Sequence, residues 1–247
     1  MEIIKDDERL DYLISDGKTK IIQSPTIFSY SLDAVLLAHF AYVPINKGNI
    51  LDLCTGNGAI PLLLSHRTKG KIIGLEIQNR LVDMARRSIK LNGLQDKIEI
   101  IEGDLKKRHS DLKQSYYDVV TCNPPYFATP KSTEHNENEY MTIARHEVCC
   151  TLTDVVKACK LYVKPGGKVA MVHRPERLVD MIMLFRSFHL EPKRVQYVYP
   201  KANKAANTIL LEGIRDGKPG LKVLPPLFIY EENGDYTGQA RKIIYGK

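Results

Sequence analysis

The chain has 247 residues, 43% of them hydrophobic, which is enough to bury a full core without disulfide or metal staples. Five cysteines (Cys54, Cys122, Cys149, Cys150, Cys159) form no Cys-x-x-Cys pair, and no histidine stands at metal spacing. That pattern argues against a structural zinc site or other metal and for reduced thiols in a cytosolic protein. The net charge of +7 and pI near 9.0 permit a polyanionic partner without requiring one.

The opening MEIIKDDERLDYL carries acids where a signal peptide needs a basic start and an apolar core, and no stretch reaches the apolar length of a membrane span. A cytoplasmic protein with no membrane association is expected. "DYLISDGKTKIIQ" alternates on both sides of Asp16-Gly17, the signal of a two-residue hairpin. A helix follows from Ser31 to about Tyr42, with Asp33 in its first turn and Val35, Leu36, Leu37 and Phe40 available to pack.

From Asn49 strands alternate with helices: NILDLC, a helix from about Gly58 to His66, KIIGLEI, a helix from Gln78 to Leu91, KIEIIEGD, and YDVVTC. Short apolar strands separated by crossover helices predict an α/β fold with a doubly wound, mostly parallel sheet covered on both faces. Residues 128–148 are polar and aperiodic, a long loop of the kind that is functional or disordered. A helix near 151–163 follows, then a turn at Lys164-Pro165-Gly166-Gly167, the strand KVAMVH, a helix from about Pro175 to Phe188, and the strands RVQYVYP and NTILLEGI. The end reads as a short β excursion around Asn233-Gly234. A single domain is expected: a hairpin and helix over 1–47, the α/β core over 48–216, and the excursion over 217–247.

"LDLCTGNGAI" joins the first of these strands to a helix, with Gly56 and Gly58 removing side chains where the backbone turns sharply. Pro61 breaks the full Gly-x-Gly-x-x-Gly pattern, which weakens a dinucleotide reading. Taken alone, a strand, a glycine turn and a helix are as often purely structural. Glu76 ends the second strand, where an acid can accept both hydroxyls of a ribose, and Asp104 ends the third, where a carboxylate could accept from an adenine amino group. Each alone is commonplace; at the ends of successive parallel strands they outline one nucleoside-shaped pocket. "NPPY" then ends the fourth strand. Pro124-Pro125 would suffice to stop a strand; Asn123 and Tyr126 would not be needed for that. Two prolines fix the backbone so that the Asn123 amide oxygen and the Pro124 carbonyl can point at an incoming amine, with Tyr126 able to stack on a flat group.

LDLCTGNG, GLEI, EGDL and NPPY together resemble the class I S-adenosylmethionine-dependent amino methyltransferases, over about residues 20–215. "FSYSLDAVLLAHF", "ARHE" and "KANKAANTILLEG" look like the bacterial family that methylates N6 of the adenine 3′ of the anticodon in valine tRNA. The resemblance implies a Rossmann-like, seven-stranded sheet with the Gly56–Gly58 loop holding the methionine part of S-adenosyl-L-methionine and Asp52 supporting it. It further implies Glu76 on the ribose, Asp104 on the adenine, Asn123 and Pro124 on the target amine, and Tyr126 stacked on its ring. Asp33 matches an acid of the family's N-terminal motif and is counted with the cofactor residues. A monomer is expected.

Residues 193–222 hold seven basic groups against Glu212 and Asp216, whereas 128–148 hold four acids against Lys131 and Arg145. Lys193, Lys201 and Lys204 are the expected contacts to tRNA phosphates. Arg145 and His146 either anchor the polar loop or meet RNA. Cys54 and Cys122, at the ends of neighbouring strands, are expected to pack rather than to catalyse. Two other readings stay open: a glutamine N5-methyltransferase acting on a release factor, and a catalytically silent protein that binds the cofactor or RNA.

Overall fold

The computed structural model describes residues 4–13, 17–27, 29–126 and 150–246. The expected polar loop, with Lys131, Arg145, His146 and Cys149, lies outside the described residues, as does Asp16. The chain opens with an antiparallel pair, β1 (Arg9–Tyr12) and β2 (Lys20–Gln23), in which Tyr12 faces Lys20. That register rules out a two-residue turn: Leu13 N–H still donates to the Thr19 carbonyl, so the connection is longer and Gly17 enters it with φ +62°.

Helix α1 (Leu32–Phe40) starts after Ser31, and six of its nine residues are buried. Then come β3 (Asn49–Leu53), α2 (Ala59–Ser65), β4 (Lys71–Glu76), α3 (Asn79–Leu91), β5 (Ile98–Glu102) and β6 (Tyr117–Cys122). After the undescribed stretch, α4 (Leu152–Tyr162) begins with a Thr151/Asp154 capping box. β7 (Val163–His173), a 3₁₀ turn (Pro175–Arg177), α5 (Leu178–Ser187), β8 (Leu190–Tyr199) and β9 (Thr208–Arg215) follow. The expected turn at 164–167 is absorbed into β7 as a bulge: Tyr117 pairs with Val163 but Val119 with Lys168, and Gly166 takes φ +73°.

The main strands order as β8-β9-β7-β6-β3-β4-β5, seven in all, with β9 alone antiparallel to its neighbours. Two further strands, β10 (Lys222–Val223) and β11 (Leu227–Phe228), extend β8. The expected β excursion at the end supplies β10 and β11 and a bridge, Tyr230 to Tyr236, but closes with a helix, α6 (Gly238–Tyr245), capped by Thr237. Ala240 and Ile244 of that helix are fully buried in the core cluster that also contains α1. Two turns of helix with so few apolar residues carry little periodic signal by themselves.

Alternate residues of each strand enter opposite cores. Ile50, Val119, Ala170 and Val172 pack with α1, α2 and α6, while Leu51, Val120, Val169 and Met171 pack with α4 and α5. This is why these strands read as unbroken apolar runs. The N-terminal segment is fastened to the same body by a forked pair: Arg87 of α3 donates to both oxygens of the buried Glu8 at 2.6 Å. Ser88 Oγ accepts from Ile22 N–H, and Asn57 Nδ2 donates to the Ile22 carbonyl. β2 therefore rests on the glycine loop.

Candidate active site

The order β5-β4-β3-β6 places the chain reversal at β3, whose neighbours leave in opposite directions and open a crevice at their carboxyl ends. Register lines up the ends: Leu53 faces Cys122 on one side and Leu75 on the other, and Glu76 faces Glu102. Cys54, Asn123 and Glu76 consequently leave the sheet side by side, with Asp104 two residues past the end of β5. Gly56, Glu76, Asp104 and Asn123 all line one cleft, together with Tyr30, Asn57, Ile77, Gln78, Leu105 and Cys150.

The glycine loop alternates through left-handed backbone at Cys54 (φ +56°), Gly56 (+58°) and Gly58 (+85°). The same conformation at Cys54 is sparsely populated for a residue with a side chain. A Cβ at Gly58 would stand 3.2 Å from Ala85 Cβ of α3, so close packing as well as φ excludes side chains there. Glu76 ties the loop down: its Oε2 accepts from Gly56 N–H at 2.9 Å and its Oε1 from Gln78 N–H at 3.0 Å. Burial raises the Glu76 carboxyl above its ordinary range, against these backbone donors.

Asp52 lies beneath the loop rather than in the cleft. It is completely buried and accepts hydroxyl bonds of 2.6 Å from both Thr55 and Thr121, which stitch β3 to β6. Burial pushes its carboxyl up to about 7, and the nearby Glu76 acts in the same direction. Asp104 accepts from Lys106 N–H at 2.9 Å, and its carbonyl meets the His109 ring at 3.0 Å. That ring lies over Gly103, where a Cβ would come within 2.0 Å of it. Only glycine lets the ring close this corner.

Asn123 lines the cleft, and its Oδ1 accepts from the Tyr126 hydroxyl. The same hydroxyl lies 3.2 Å from Asp33 Oδ2, whose other oxygen accepts from Thr208 Oγ1 at 3.2 Å. Asp33, counted with the cofactor residues above, is bonded to Thr208 of β9 and to Tyr126 and is not among the residues that line the cleft. Burial and the Asp33 charge hold the Tyr126 phenol well above its ordinary pKa. The Tyr126 ring centroid stands 5.1 Å from that of His173 and 5.1 Å from the Arg174 guanidinium. His173 Nδ1 accepts from Arg174 N–H, and burial lowers the imidazole to about 4, so the ring is neutral. Its Nε2 has no hydrogen-bond partner among the described residues. Thr121, His173 and Arg174 carry no motif, and Thr208 is an unremarked position of KANKAANTILLEG; only the sheet order could have brought them to this place.

Cys54 and Cys122 do come together, joined by Cys150. Hydrogen bonding to Cys122 raises the Cys54 thiol, and burial lifts Cys122 to about 12. None of this favours a thiolate nucleophile. No group of metal-ligating side chains occurs among the described residues.

The three lysines separate. Lys201 and Lys204 follow the carboxyl end of β8, on the edge that carries the cleft, and Lys201 Nζ donates to the Glu232 carbonyl. Lys193 sits near the opposite end of the same strand, about 20 Å away at ~3.3 Å per residue, where its Nζ donates to the Lys218 carbonyl. Arg194 and Arg215, counted in the basic stretch, are taken up internally by Glu212 and by the Val163 carbonyl.

Asn57 Oδ1 and Gln78 Oε1, both on cleft-lining residues, are buried without hydrogen-bond partners among the described residues. Unpaired buried acceptors ask for a ligand that donates. With Glu76 and Asp104 nearby and Ile77 and Leu105 offering apolar surface, the cleft fits a molecule with hydroxyls and amines around a flat ring.

Known proteins agree with this architecture. A predicted O-methyltransferase from Agrobacterium tumefaciens superposes with a TM-score of 0.67 at 21% identity, over 85% of this chain and 94% of that one. Geranyl diphosphate C-methyltransferase from Streptomyces coelicolor, solved with S-adenosyl-L-homocysteine, gives 0.56 at 9% identity, over 74% and 77%. Among sequence relatives, the tRNA1(Val) (adenine(37)-N6)-methyltransferase of Shewanella sediminis is 22% identical over 225 residues, covering 87% of this chain and 90% of the relative. The protein of the same name from Aeromonas salmonicida is 26% identical over 181 residues, covering 72% and 73%. The family model for the methyltransferase small domain matches residues 18–189, well over half of the chain. The chain thus belongs to the methyltransferase small domain family.

Proposed function

We propose that this protein methylates the exocyclic N6 amine of an adenine in tRNA, the adenine 3′ of the anticodon in valine tRNA, with S-adenosyl-L-methionine as methyl donor. The observation that carries the reading is that Asn123, an amide at a proline-fixed strand end, lines the same cleft as Glu76 and Asp104. An acceptor for an amine thereby sits beside a nucleoside-shaped site. The names of the sequence relatives supply the tRNA and the base.

In this reading the Gly56–Gly58 loop holds the methionine end of the cofactor, Glu76 its ribose and Asp104 its adenine. Asp52 stays beneath and keeps the loop in place through Thr55. When bound, S-adenosyl-L-methionine supplies a methyl group activated by its sulfonium charge. The protein's task is alignment and orientation of the acceptor. An adenine amine is a poor nucleophile because its lone pair is delocalised into the ring. Asn123 Oδ1 and the Pro124 carbonyl each accept one of its N–H bonds, which favours a more tetrahedral nitrogen with its lone pair directed into the cleft. No strong base is needed before the bond forms, since the methylated nitrogen becomes acidic and releases its proton afterwards. Tyr126 offers a ring for the extruded base to stack on, offsetting part of the unstacking cost. Lys201 and Lys204, on the edge that carries the cleft, contact backbone phosphates.

The test is methyl transfer to unmodified valine tRNA in vitro, with nucleosides read by mass spectrometry. N6-methyladenosine is the expected product. Absence of product on tRNA, with transfer to a glutamine-containing release-factor peptide, would overturn the reading.

A further inference from the structure

Tyr126 has one hydroxyl hydrogen and two acceptors within reach: Asn123 Oδ1, in the shorter contact, and Asp33 Oδ2 at 3.2 Å. A hydroxyl donates once, so only one of these bonds exists at a time. In the first, the amide plane of Asn123 is pinned to Tyr126. In the second, two oxygens face each other with no hydrogen between them, and they cannot remain in close contact; Asn123 is then released toward the cleft.

Asp33 is well placed for the second arrangement. It sits in the first turn of α1, held against the sheet by a helix with six buried residues. Thr208 Oγ1, at the start of β9, donates to its Oδ1 at 3.2 Å and so turns Oδ2 toward Tyr126. Neither Asp33 nor Thr208 is among the residues that line the cleft.

We propose that Asp33 is a positioning residue: it takes the Tyr126 hydroxyl bond when the target amine arrives, and so frees the Asn123 amide to accept that amine. The role rests on the adenine-amine reading only for the identity of what Asn123 accepts. At rest the hydroxyl exchanges between Asn123 and Asp33, so that loss of Asp33 pins it on Asn123; an incoming N–H replaces it there, and the carboxylate receives the displaced donor. Once the amine is bound, the Asn123 oxygen, the Tyr126 hydroxyl and the Asp33 carboxylate are all paired, which is what an exchange of partners inside a half-buried site requires.

A double-variant cycle separates this role from simple support of the fold. Asp33→Leu removes the acceptor; Tyr126→Phe removes the hydroxyl and with it the latch. Asp33→Leu is expected to lower kcat on tRNA about tenfold or more, the scale of one hydrogen bond to a charged group. KM for tRNA and the cofactor dissociation constant, read by calorimetry, should stay within a factor of about two because neither site is touched. With Phe at 126 the Asp33→Leu change should cost nothing further, so the double variant equals Tyr126→Phe alone. Losses that multiply would overturn the proposal.

A second readout needs no turnover. The side-chain amide resonance of Asn123, assigned by its disappearance in Asn123→Ala, should move in ligand-free Asp33→Leu. In the double variant it should take its Tyr126→Phe position. A resonance unmoved by Asp33→Leu would overturn the latch, whatever the substrate. If the wild type fails to methylate tRNA while these shifts appear, the function reading falls and the latch stands. Should Asp33→Leu fail to fold, Thr208→Val, which leaves the carboxylate but frees its orientation, must shift the same resonance and lower kcat in the same direction. A silent Thr208→Val would then count against the proposal.

Discussion

On the β3–β4 side of the cleft Glu76 is held by main chain. Glu76 grips Gly56 and Gln78 through their N–H groups, and Asp52 grips Thr55 three residues on. On the β6 side the Asn123 amide is held by a side chain, Tyr126 three residues on, which is backed in turn by Asp33, 93 residues before it, and by Thr208. The first side is a rigid seat, because backbone donors cannot rotate away. The second is built from rotatable hydroxyls that can exchange partners, which suits a site that must admit and release a large substrate.

The sharpest way to break this contrast is to remove the amide. Asn123→Ala should lower turnover roughly 10²–10³-fold, the loss seen when a single transition-state hydrogen-bonding group is deleted. Cofactor affinity should be nearly unchanged, since the seat on the other side is intact; comparable losses in both would merge the two halves. Next in size, Glu76→Ala should weaken cofactor binding by about 2 kcal/mol or more in calorimetry, because it removes a ligand contact and unties Gly56 at once. An unaltered dissociation constant would mean that the loop holds its shape without Glu76.

A smaller effect tests the rigidity of the seat through pH. The Asp52 carboxyl ionises near 7 in the folded protein, against an ordinary 3.8. Between those values the folded state keeps a proton that the unfolded chain has lost, so stability falls as pH rises, by at most ~1.4 kcal/mol per pH unit for one group. Asp52→Asn should flatten that part of the profile of urea midpoints between about pH 4 and 7. A slope equal to that of the wild type would show that Asp52 is ionised in its threonine cage. The smallest expected effect concerns RNA. Lys201→Ala and Lys204→Ala should each weaken tRNA binding and reduce the salt slope by about 0.7–0.9. Lys193→Ala, at the other end of β8, should change neither; an equal effect would extend the RNA footprint to the far edge of the sheet.

The same division explains what could be read from residues alone. Strands such as Ile50–Leu53 and Val119–Cys122 announce themselves because a sheet covered on both faces needs mostly apolar side chains along each strand. Gly56, Glu76, Asp104 and Asn123 were legible because a parallel sheet exposes its strand ends in sequence order, so each motif falls at a predictable edge. The connection through Gly17, the bulge at Gly166 and helix α6 were read wrongly, each for a local reason. Asp16-Gly17 suits a tight turn as well as a longer one, a bulge looks like a turn until its partner strand is known, and α6 draws its stability from burying Ala240 and Ile244 against α1.

The sequence by itself determined the alternation of strands and helices, the glycine loop and the acids and amide at the strand ends. These depend on backbone chemistry and on spacing within one crossover unit. Tertiary structure alone decided that Asp33 meets Tyr126 and Thr208, that His173 and Arg174 stand beside that tyrosine, and that Lys193 is separated from Lys201. Those placements depend on which strands are neighbours. Strand order comes from burying two apolar faces at once, a property of the whole chain that no single segment carries.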